Sequence, residues 1–296
     1  MIVPQRTVRL EAPAKINLGL EILGRRDDGY HEIRSILAMI DLADTLTVTS
    51  ADKGQPSSIV GMDLDGEANL IGKAAELLRL DLAVTIEKRI PMAAGLGGAS
   101  ADAAATLLAG NALTGEPRPP FELCELASSI GSDVPFFLGS PCALASGRGT
   151  DLAPLPVPEV WLVLVSPDIA IPGKTARLYG ELQPEDFTDG KLIREQAERL
   201  RRGAPVAPAL LHNAFSDALL RIAPEVADLQ RLMRQAGCPF AALSGAGPTH
   251  YTIVPSAEQA TAIAARLKEH SGPRTKVFVT RFRSTGLHIA SASGDA

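Results

Sequence analysis

The stretch Pro91-Met92-Ala93-Ala94-Gly95-Leu96-Gly97-Gly98-Ala99-Ser100 constrains this chain more than any other. It follows the alternating segment Leu82-Ala83-Val84-Thr85-Ile86-Glu87 and leads into the alanine-rich segment Ala101–Leu113, giving the order strand, glycine loop, helix start. Glycines let a backbone approach a phosphate closely. The unpaired N–H groups of a first helical turn point outward, and the helix dipole favours negative charge there. Ser100 is placed to cap the helix, touch a phosphate or reach a magnesium ion. The plainer alternative is a helix packed tightly on a strand. So many small residues in one loop exceed what packing needs, and phosphate binding is the expectation.

Two better-known phosphate motifs do not fit. Gly173-Lys174-Thr175 supplies the second half of a Walker loop, but Asp168 stands where the first glycine belongs and Pro172 intrudes. An acid there would repel phosphate, so this is a chance near-match. Gly95-Leu96-Gly97-Gly98-Ala99-Ser100 approaches the dinucleotide fingerprint. It ends in Ser, and Pro91 opens a loop where a dinucleotide fold turns directly off its strand.

Composition narrows the setting. With 296 residues, 46% hydrophobic and 21% charged, the chain is long enough for two domains or one large one. A net charge of −5 gives no general attraction to nucleic acid or membrane. Cys124, Cys142 and Cys238 make neither a disulfide framework nor a zinc signature. The histidines show no metal spacing, and the N-terminus has no signal-peptide core. A cytoplasmic setting with reduced thiols is expected.

Along the chain, strands are expected at Thr7–Ala12, Ile16–Leu23, Ile33–Ile40, Thr45–Ser50, Leu82–Glu87 and Cys142–Ser146. A turn is expected at Asp63–Glu67, with Asn69 capping the helix that follows it. Three prolines within Pro154–Pro158 mark the boundary between domains 1–155 and 156–290, with 291–296 a disordered tail. The second half opens with the apolar strand Val160–Val165. Helical patterns follow at Lys191–Arg202, Ala209–Arg221, Glu225–Gln235 and Ala257–His270, and strands at Phe240–Leu243, His250–Val254 and Lys276–Phe282. Strands and helices mix without a regular βαβ repeat, which points to an α+β fold.

Four further constellations carry chemistry. Strand alternation puts Ile16, Leu18 and Leu20 on one face and Lys15, Asn17 and Gly19 on the other. The second set suits either a polar cleft floor or a solvated sheet face. Gly29-Tyr30-His31 follows the polar turn Arg25-Arg26-Asp27-Asp28; its rings can stack on a planar ligand and read its edge, or be merely structural. Pro135 fits the first turn of a helix, so Asp133 lies at a helix start, as a cap or as an acceptor for a substrate proton. Leu243-Ser244-Gly245-Ala246-Gly247-Pro248 is a second glycine-rich turn. It forms either a tight hairpin or the far wall of a shared cleft.

Three of these segments agree with one family. Pro13–Leu20, Pro91–Ser100 and Leu243–Pro248 resemble the first, second and third motifs of the GHMP small-molecule kinases. Ala12–Leu18, Asp28–His31, Pro91–Gly98 and Gly131–Phe137 resemble, in that order, the branch whose acceptor is 4-diphosphocytidyl-2-C-methyl-D-erythritol. The resemblance implies a two-domain α+β architecture. Its N-terminal domain is ribosomal protein S5 domain 2-like, its C-terminal domain is a ferredoxin-like α/β unit, and the site lies in the cleft between them. It also implies an ATP- and Mg2+-dependent kinase of the non-mevalonate route to isoprenoid precursors, acting on the tertiary 2-hydroxyl. The partners implied are small molecules, not nucleic acid or membrane, in a monomer or weak homodimer.

By the same likeness Asp133 is the general base and Lys15 its neighbour, orienting the hydroxyl. Asn17 contacts the substrate near that hydroxyl. Tyr30 and His31 bind the cytosine, with His31 on its polar edge and Tyr179 on the opposite face. Gly245 belongs to the substrate side of the third motif. Residues Pro91, Met92, Ala93, Ala94, Gly95, Leu96, Gly97, Gly98, Ala99 and Ser100 hold the triphosphate, and Asn69 is similar to a residue near the adenine. The loop departs from the superfamily's paired serines, since Gly98-Ala99 precede Ser100 and Ala101 follows it. The connection from Ala74 to Leu82 is also shorter than is usual for this branch. Sister kinases of mevalonate, phosphomevalonate or homoserine share the glycine loop but not Gly29-Tyr30-His31. A non-catalytic sugar- or nucleotide-sensing module on the same fold would not need both Lys15 and Asp133.

Overall fold

A long hairpin organises the molecule. The computed structural model describes residues 6–51, 57–61 and 68–293, without the side chains of 68, 69 and 293. The expected turn Asp63–Glu67, the Asn69 side chain and residues 294–296 lie outside the described residues. Strand β1 (Thr7–Arg25) pairs antiparallel with β2 (His31–Ser50). Each was expected as two shorter strands. Register shifts at Pro13/Lys15, Asn17/Leu20 and Ile22/Gly24 bend the hairpin without ending it. Gly19 sits at φ +93°, and a Cβ there would lie 2.3 Å from Ile193 Cδ1. Glycine at this bend lets the strand press against the second half of the chain.

The first half continues with β3 (Ser58–Val60), α1 (Ala68–Leu78), β4 (Leu82–Glu87) and α2 (Gly98–Leu113). Then come α3 (Pro120–Ile130), α4 (Val134–Phe137), β5 (Cys142–Ser146) and β6 (Asp151–Pro154). Ala101, Ala103, Ala104, Ala105 and Ala109 of α2 are fully buried, together with the larger Leu107. Alanines win here because a helix enclosed on most sides needs small side chains to approach its neighbours. They pack in one core with Leu10, Leu46, Val48, Ile71, Leu78, Phe136 and Phe137.

The second half holds β7 (Trp161–Ser166), α5 (Lys174–Gly180), α6 (Lys191–Arg201), α7 (Phe215–Ile222) and α8 (Val226–Gln235). It ends with β8 (Ala242–Leu243), β9 (His250–Val254), α9 (Ala257–His270), β10 (Lys276–Arg281) and β11 (Ile289–Ser293). The order β10-β7-β9-β8 with antiparallel pairs is the ferredoxin-like arrangement. The alternating side chains of β7 serve two cores. Val163 and Val165 pack with Leu229, Met233 and Leu267, whereas Leu162 and Leu164 pack with Ile16, Leu18 and Ile36. The second of these cores joins the halves of the chain, so β7 is apolar on both faces.

Two expectations are corrected. Strand β11 pairs with β1, with Thr7 opposite Ser293 and Arg9 opposite Ser291, so residues 291–293 are ordered in the seven-stranded sheet instead of forming a loose tail. Backbone pairing along an open sheet edge holds small, polar side chains that composition alone reads as disordered. The helix expected at Ala209–Arg221 breaks into a 3-10 turn at Pro208–Leu210 and α7. Asn213 lies at the break, where its Oδ1 accepts from the Phe215 N–H and so competes with the helix.

His250 on β9 is 1% exposed, with Nδ1 against the Pro248 carbonyl and Nε2 against Gln230. Burial pushes its imidazole down to about 4 from 6.5. The folded state therefore resists the proton that the unfolded chain accepts. Its contribution is full above pH 6.5 and is lost as pH falls toward about 4. Urea unfolding should show a loss between pH 7 and pH 5 that is smaller in His250→Gln by about 2 kcal/mol.

Candidate active site

The glycine loop owes its shape to alternation. Ala93, Gly95 and Gly97 have φ of +50°, +82° and +73°, and no residue between them has positive φ. Alternate left-handed residues turn successive N–H groups toward one side, which makes a concave anion site. Ala93 pays roughly 1–2 kcal/mol for that conformation. Buried Ala94 and Leu96 pin the loop into the core, while Met92 is 60% exposed at its tip. Gly97 is the N-cap of α2, so Ser100 lies inside the first turn and does not cap it. The first intrahelical bond in that turn runs from Ala101 N to Gly97 O, which leaves the N–H groups of Gly98, Ala99 and Ser100 ahead of the ladder.

Below the loop lies a buried polar floor. Lys15 is 4% exposed and Asn17 2%, which excludes the solvated-face alternative. Lys15 Nζ donates to Asn17 Oδ1 at 2.7 Å, and Asn17 Nδ2 donates to Ser35 Oγ at 2.8 Å. Ser35 Oγ donates to the Gly19 carbonyl at 2.7 Å, and the Tyr251 hydroxyl to the Asn17 carbonyl at 2.8 Å. Asn17 thus acts first by holding Lys15. The Lys15 stem passes under the loop: a Cβ on Gly97 would lie 2.9 Å from Lys15 Cγ and 3.1 Å from Phe137 Cζ. Lys15 Nζ then reaches Asp133 Oδ2 at 3.4 Å. Asp133 precedes α4 but makes no capping bond, and its side chain is 40% exposed. Its carboxylate faces the cleft.

The third loop closes the floor from the other half. Gly245 has φ +54°, and a Cβ on it would meet Asn17 Oδ1 and the Gly95 carbonyl at 3.1 Å and Lys15 Nζ at 3.2 Å. Gly95 is as tight, its Cβ position lying 2.3 Å from the Ser244 carbonyl. Ser244 Oγ donates to the Gly95 carbonyl at 3.0 Å, and Asn213 Nδ2 holds the Leu243 and Gly245 carbonyls at 3.1 and 3.0 Å. Lys174 donates to the carbonyls of Ala93 and Gly247. Burial, then the charge of Lys15, push its ammonium down to about 8. Lys174, Asn213, Ser35 and Tyr251 were not among the expected site residues. Gly173-Lys174-Thr175 drew notice only as a failed Walker loop, and the other three carry no local signature.

The aromatic residues gather beside this floor in an arrangement that differs from the expected sandwich. His31 stacks directly on Tyr179, centroids 4.5 Å apart and planes 22° from parallel. Tyr179 also packs edge-on against Phe215 at 5.0 Å. Rings gain by covering each other's faces, so no slot stands open between Tyr179 and the buried His31. Tyr30 is 50% exposed, and the Arg148 guanidinium lies 3.5 Å over its ring. Burial and then the Asp133 charge push the Tyr179 phenol up to about 12, which places Tyr179 within the electrostatic reach of Asp133. Burial and then Arg25 lower the His31 pKa, favouring a neutral ring.

Behind the loop, Lys88 Nζ bridges Asp44 at 2.8 Å and Asp102 at 2.9 Å. Asp44 Oδ1 also accepts from the N–H groups of Arg89 and Ile90 at 2.5 and 2.8 Å. This buried cluster ties β2, the start of the loop and α2 together. Among the described residues no group of three or more His, Cys, Asp or Glu is arranged to hold a metal, and no helix is long and apolar enough to cross a membrane.

Comparison with known proteins points to one family. Residues 69–140 match the GHMP kinases N terminal domain and residues 191–272 the GHMP kinases C terminal domain. A 4-diphosphocytidyl-2-C-methyl-D-erythritol kinase of Dehalococcoides mccartyi is 39% identical over 253 residues, 83% of this chain and 88% of the relative. One from Pelotomaculum thermopropionicum is 38% identical over 280 residues, 91% of this chain and 96% of the relative. A crystal structure of 4-(cytidine 5'-diphospho)-2C-methyl-D-erythritol kinase aligns with TM-score 0.75 at 34% identity, covering 92% of this chain and 99% of that one. With two glycine loops meeting over a Lys15–Asp133 pair and relatives matched over most of their length, the chain belongs to the 4-diphosphocytidyl-2-C-methyl-D-erythritol kinase family of the GHMP kinases.

Proposed function

We propose that this chain transfers the γ-phosphoryl group of ATP to the tertiary 2-hydroxyl of 4-diphosphocytidyl-2-C-methyl-D-erythritol, in the non-mevalonate route to isoprenoid precursors. The observation that carries the chemistry is the Lys15–Asp133 pair, 3.4 Å apart, beside the N–H groups that open α2. Phosphoryl transfer needs positioning and charge stabilisation more than covalent help. The loop Ala93–Gly97 and the first turn of α2 supply N–H donors to the triphosphate. Ser100, in that turn, is the loop's hydroxyl for a phosphate oxygen or for Mg2+. A bound Mg2+ would neutralise phosphate charge, and with no cluster of three or more His, Cys, Asp or Glu among the described residues it would be held largely by phosphates and water.

Asp133 acts as the general base in this reading. Its carboxylate, free of any capping bond, accepts the proton of the acceptor hydroxyl as that oxygen forms its bond to phosphorus and the bond to ADP breaks. Lys15, fixed by Asn17, orients the hydroxyl and offsets charge developing on its oxygen. Tyr30, His31 and Tyr179 recognise the cytosine. The His31 ring has no hydrogen-bond partner among the described residues, so its nitrogens are free for a base edge. The base takes the exposed Tyr30 face by displacing Arg148, or enters between His31 and Tyr179 by parting them. Asn69 near the adenine remains part of the proposal. So does the division into domains 1–155 and 156–290, which falls between β6 and β7.

ADP release should be seen with 4-diphosphocytidyl-2-C-methyl-D-erythritol and not with mevalonate, phosphomevalonate or homoserine; turnover on one of those instead would overturn the cytosine assignment. Asp133→Asn should lower kcat by at least about 10²-fold while the ATP affinity stays within about threefold. Near-normal turnover would remove Asp133 from the base role. His31→Ala should raise the KM for the cytidine substrate about tenfold with little change in the KM for ATP, and equal effects on both would mark a structural role.

A further inference from the structure

Lys174 stands at the junction of segments far apart in the chain. Its ammonium donates to the carbonyl of Ala93 in the first glycine loop and to that of Gly247 in the third. Ala93 is the non-glycine residue of the loop with left-handed backbone, at φ +50°. A left-handed turn at a residue with a Cβ is strained, and a fixed cation bonded to its carbonyl holds the turn. Among the described residues Lys174 makes no ion pair with a carboxylate, and the charge that most affects it is the like charge of Lys15. A half-buried ammonium kept without a counter-ion is costly to maintain, so the two carbonyls are its compensation. The position is fixed by α5, whose other end carries Tyr179 against His31.

We propose that Lys174 is a positioning residue for phosphoryl transfer, a latch that locks the triphosphate loop in its left-handed turn by tying it to the third glycine loop. The latch acts through the carbonyls of Ala93 and Gly247 and does not require contact with the acceptor. It differs from Lys15, whose ammonium faces Asp133. Removing the ammonium frees Ala93 to relax toward ordinary backbone angles, which turns the loop N–H groups away from a common focus. This inference rests on assigning Pro91–Ser100 to the triphosphate.

Lys174→Met keeps the aliphatic stem and removes the donors, and Lys174→Arg keeps the charge. For Lys174→Met the expected result is a rise of about tenfold in the KM and Kd for MgATP with CDP affinity within about twofold of wild type. Amide hydrogen exchange at residues 94–98 should speed up, and Lys174→Arg should recover most of the loss. The latch is overturned if loop exchange is unchanged, or if CDP and MgATP affinities fall together, which would mean that α5 as a whole has been disturbed. Loop exchange needs no substrate, so the two assignments fail separately. Faster exchange in the variant of an enzyme that does not turn over the cytidine acceptor supports the latch and rejects the acceptor. Unchanged exchange in an enzyme that does turn it over does the reverse.

Discussion

The close approach of two glycine loops from opposite halves of the chain is the constraint on which the cleft depends. The Cβ that Gly95 lacks would sit 2.3 Å from the Ser244 carbonyl, and the one that Gly245 lacks 3.1 Å from the Gly95 carbonyl. Backbone packed on backbone at this range leaves no room for a side chain on either strand of the contact. Lys15 and Asn17 lie directly beneath it and are shielded from water by it. A cation that is 4% exposed is held only because Asn17 and Asp133 receive it. Loosening the loop contact would therefore wet the ion pair as well as shift the N–H groups that open α2.

The same region is braced from behind by apolar packing. Leu162 and Leu164 of β7 join Ile16, Leu18 and Leu96 in one core, so the strand bearing Lys15, the glycine loop and the second sheet share a foundation. Close-packed interiors transmit small displacements with little damping. The site thus belongs to the interface between the halves and not to either one. Backbone contacts from Leu20 to His212 and Ala214 reinforce that union.

Much of this was legible in the sequence, for identifiable reasons. Period-2 alternation put Lys15 and Asn17 on one face, and that face is the buried floor. The fully apolar run at β7 signalled a strand covered on both sides. The bounds of β5, β9 and α9 follow directly from local pattern. What stayed hidden depends on contacts distant in sequence. Nothing near Asn213 announces that its amide holds a loop some thirty residues on. Gly173-Lys174-Thr175 is no Walker loop, yet Lys174 meets the loop proposed for the triphosphate by reaching across the fold. A capping role for Ser100, one of the three open to it, needs a helix that begins at Ala101, and the left-handed Gly97 starts it earlier. The mutual stacking of His31 and Tyr179 could not be foreseen, because ring orientation is decided by Phe215 and the surrounding packing.

The pairing of β11 with β1 bears on how the molecule comes into being. The Thr7–Leu10 edge of β1 is completed by residues 289–293, so it stays open until everything between the two has been made. An unpaired edge is a template for wrong partners, and chains with such long-range closure are exposed to aggregation while they wait. Charged Arg9, exposed on β1 within that stretch, and Glu11 just beyond it are the kind of side chains that discourage edge-to-edge association in the interval. Closure of this sheet edge is thus a late event, and its vulnerability lies in the time before β11 arrives.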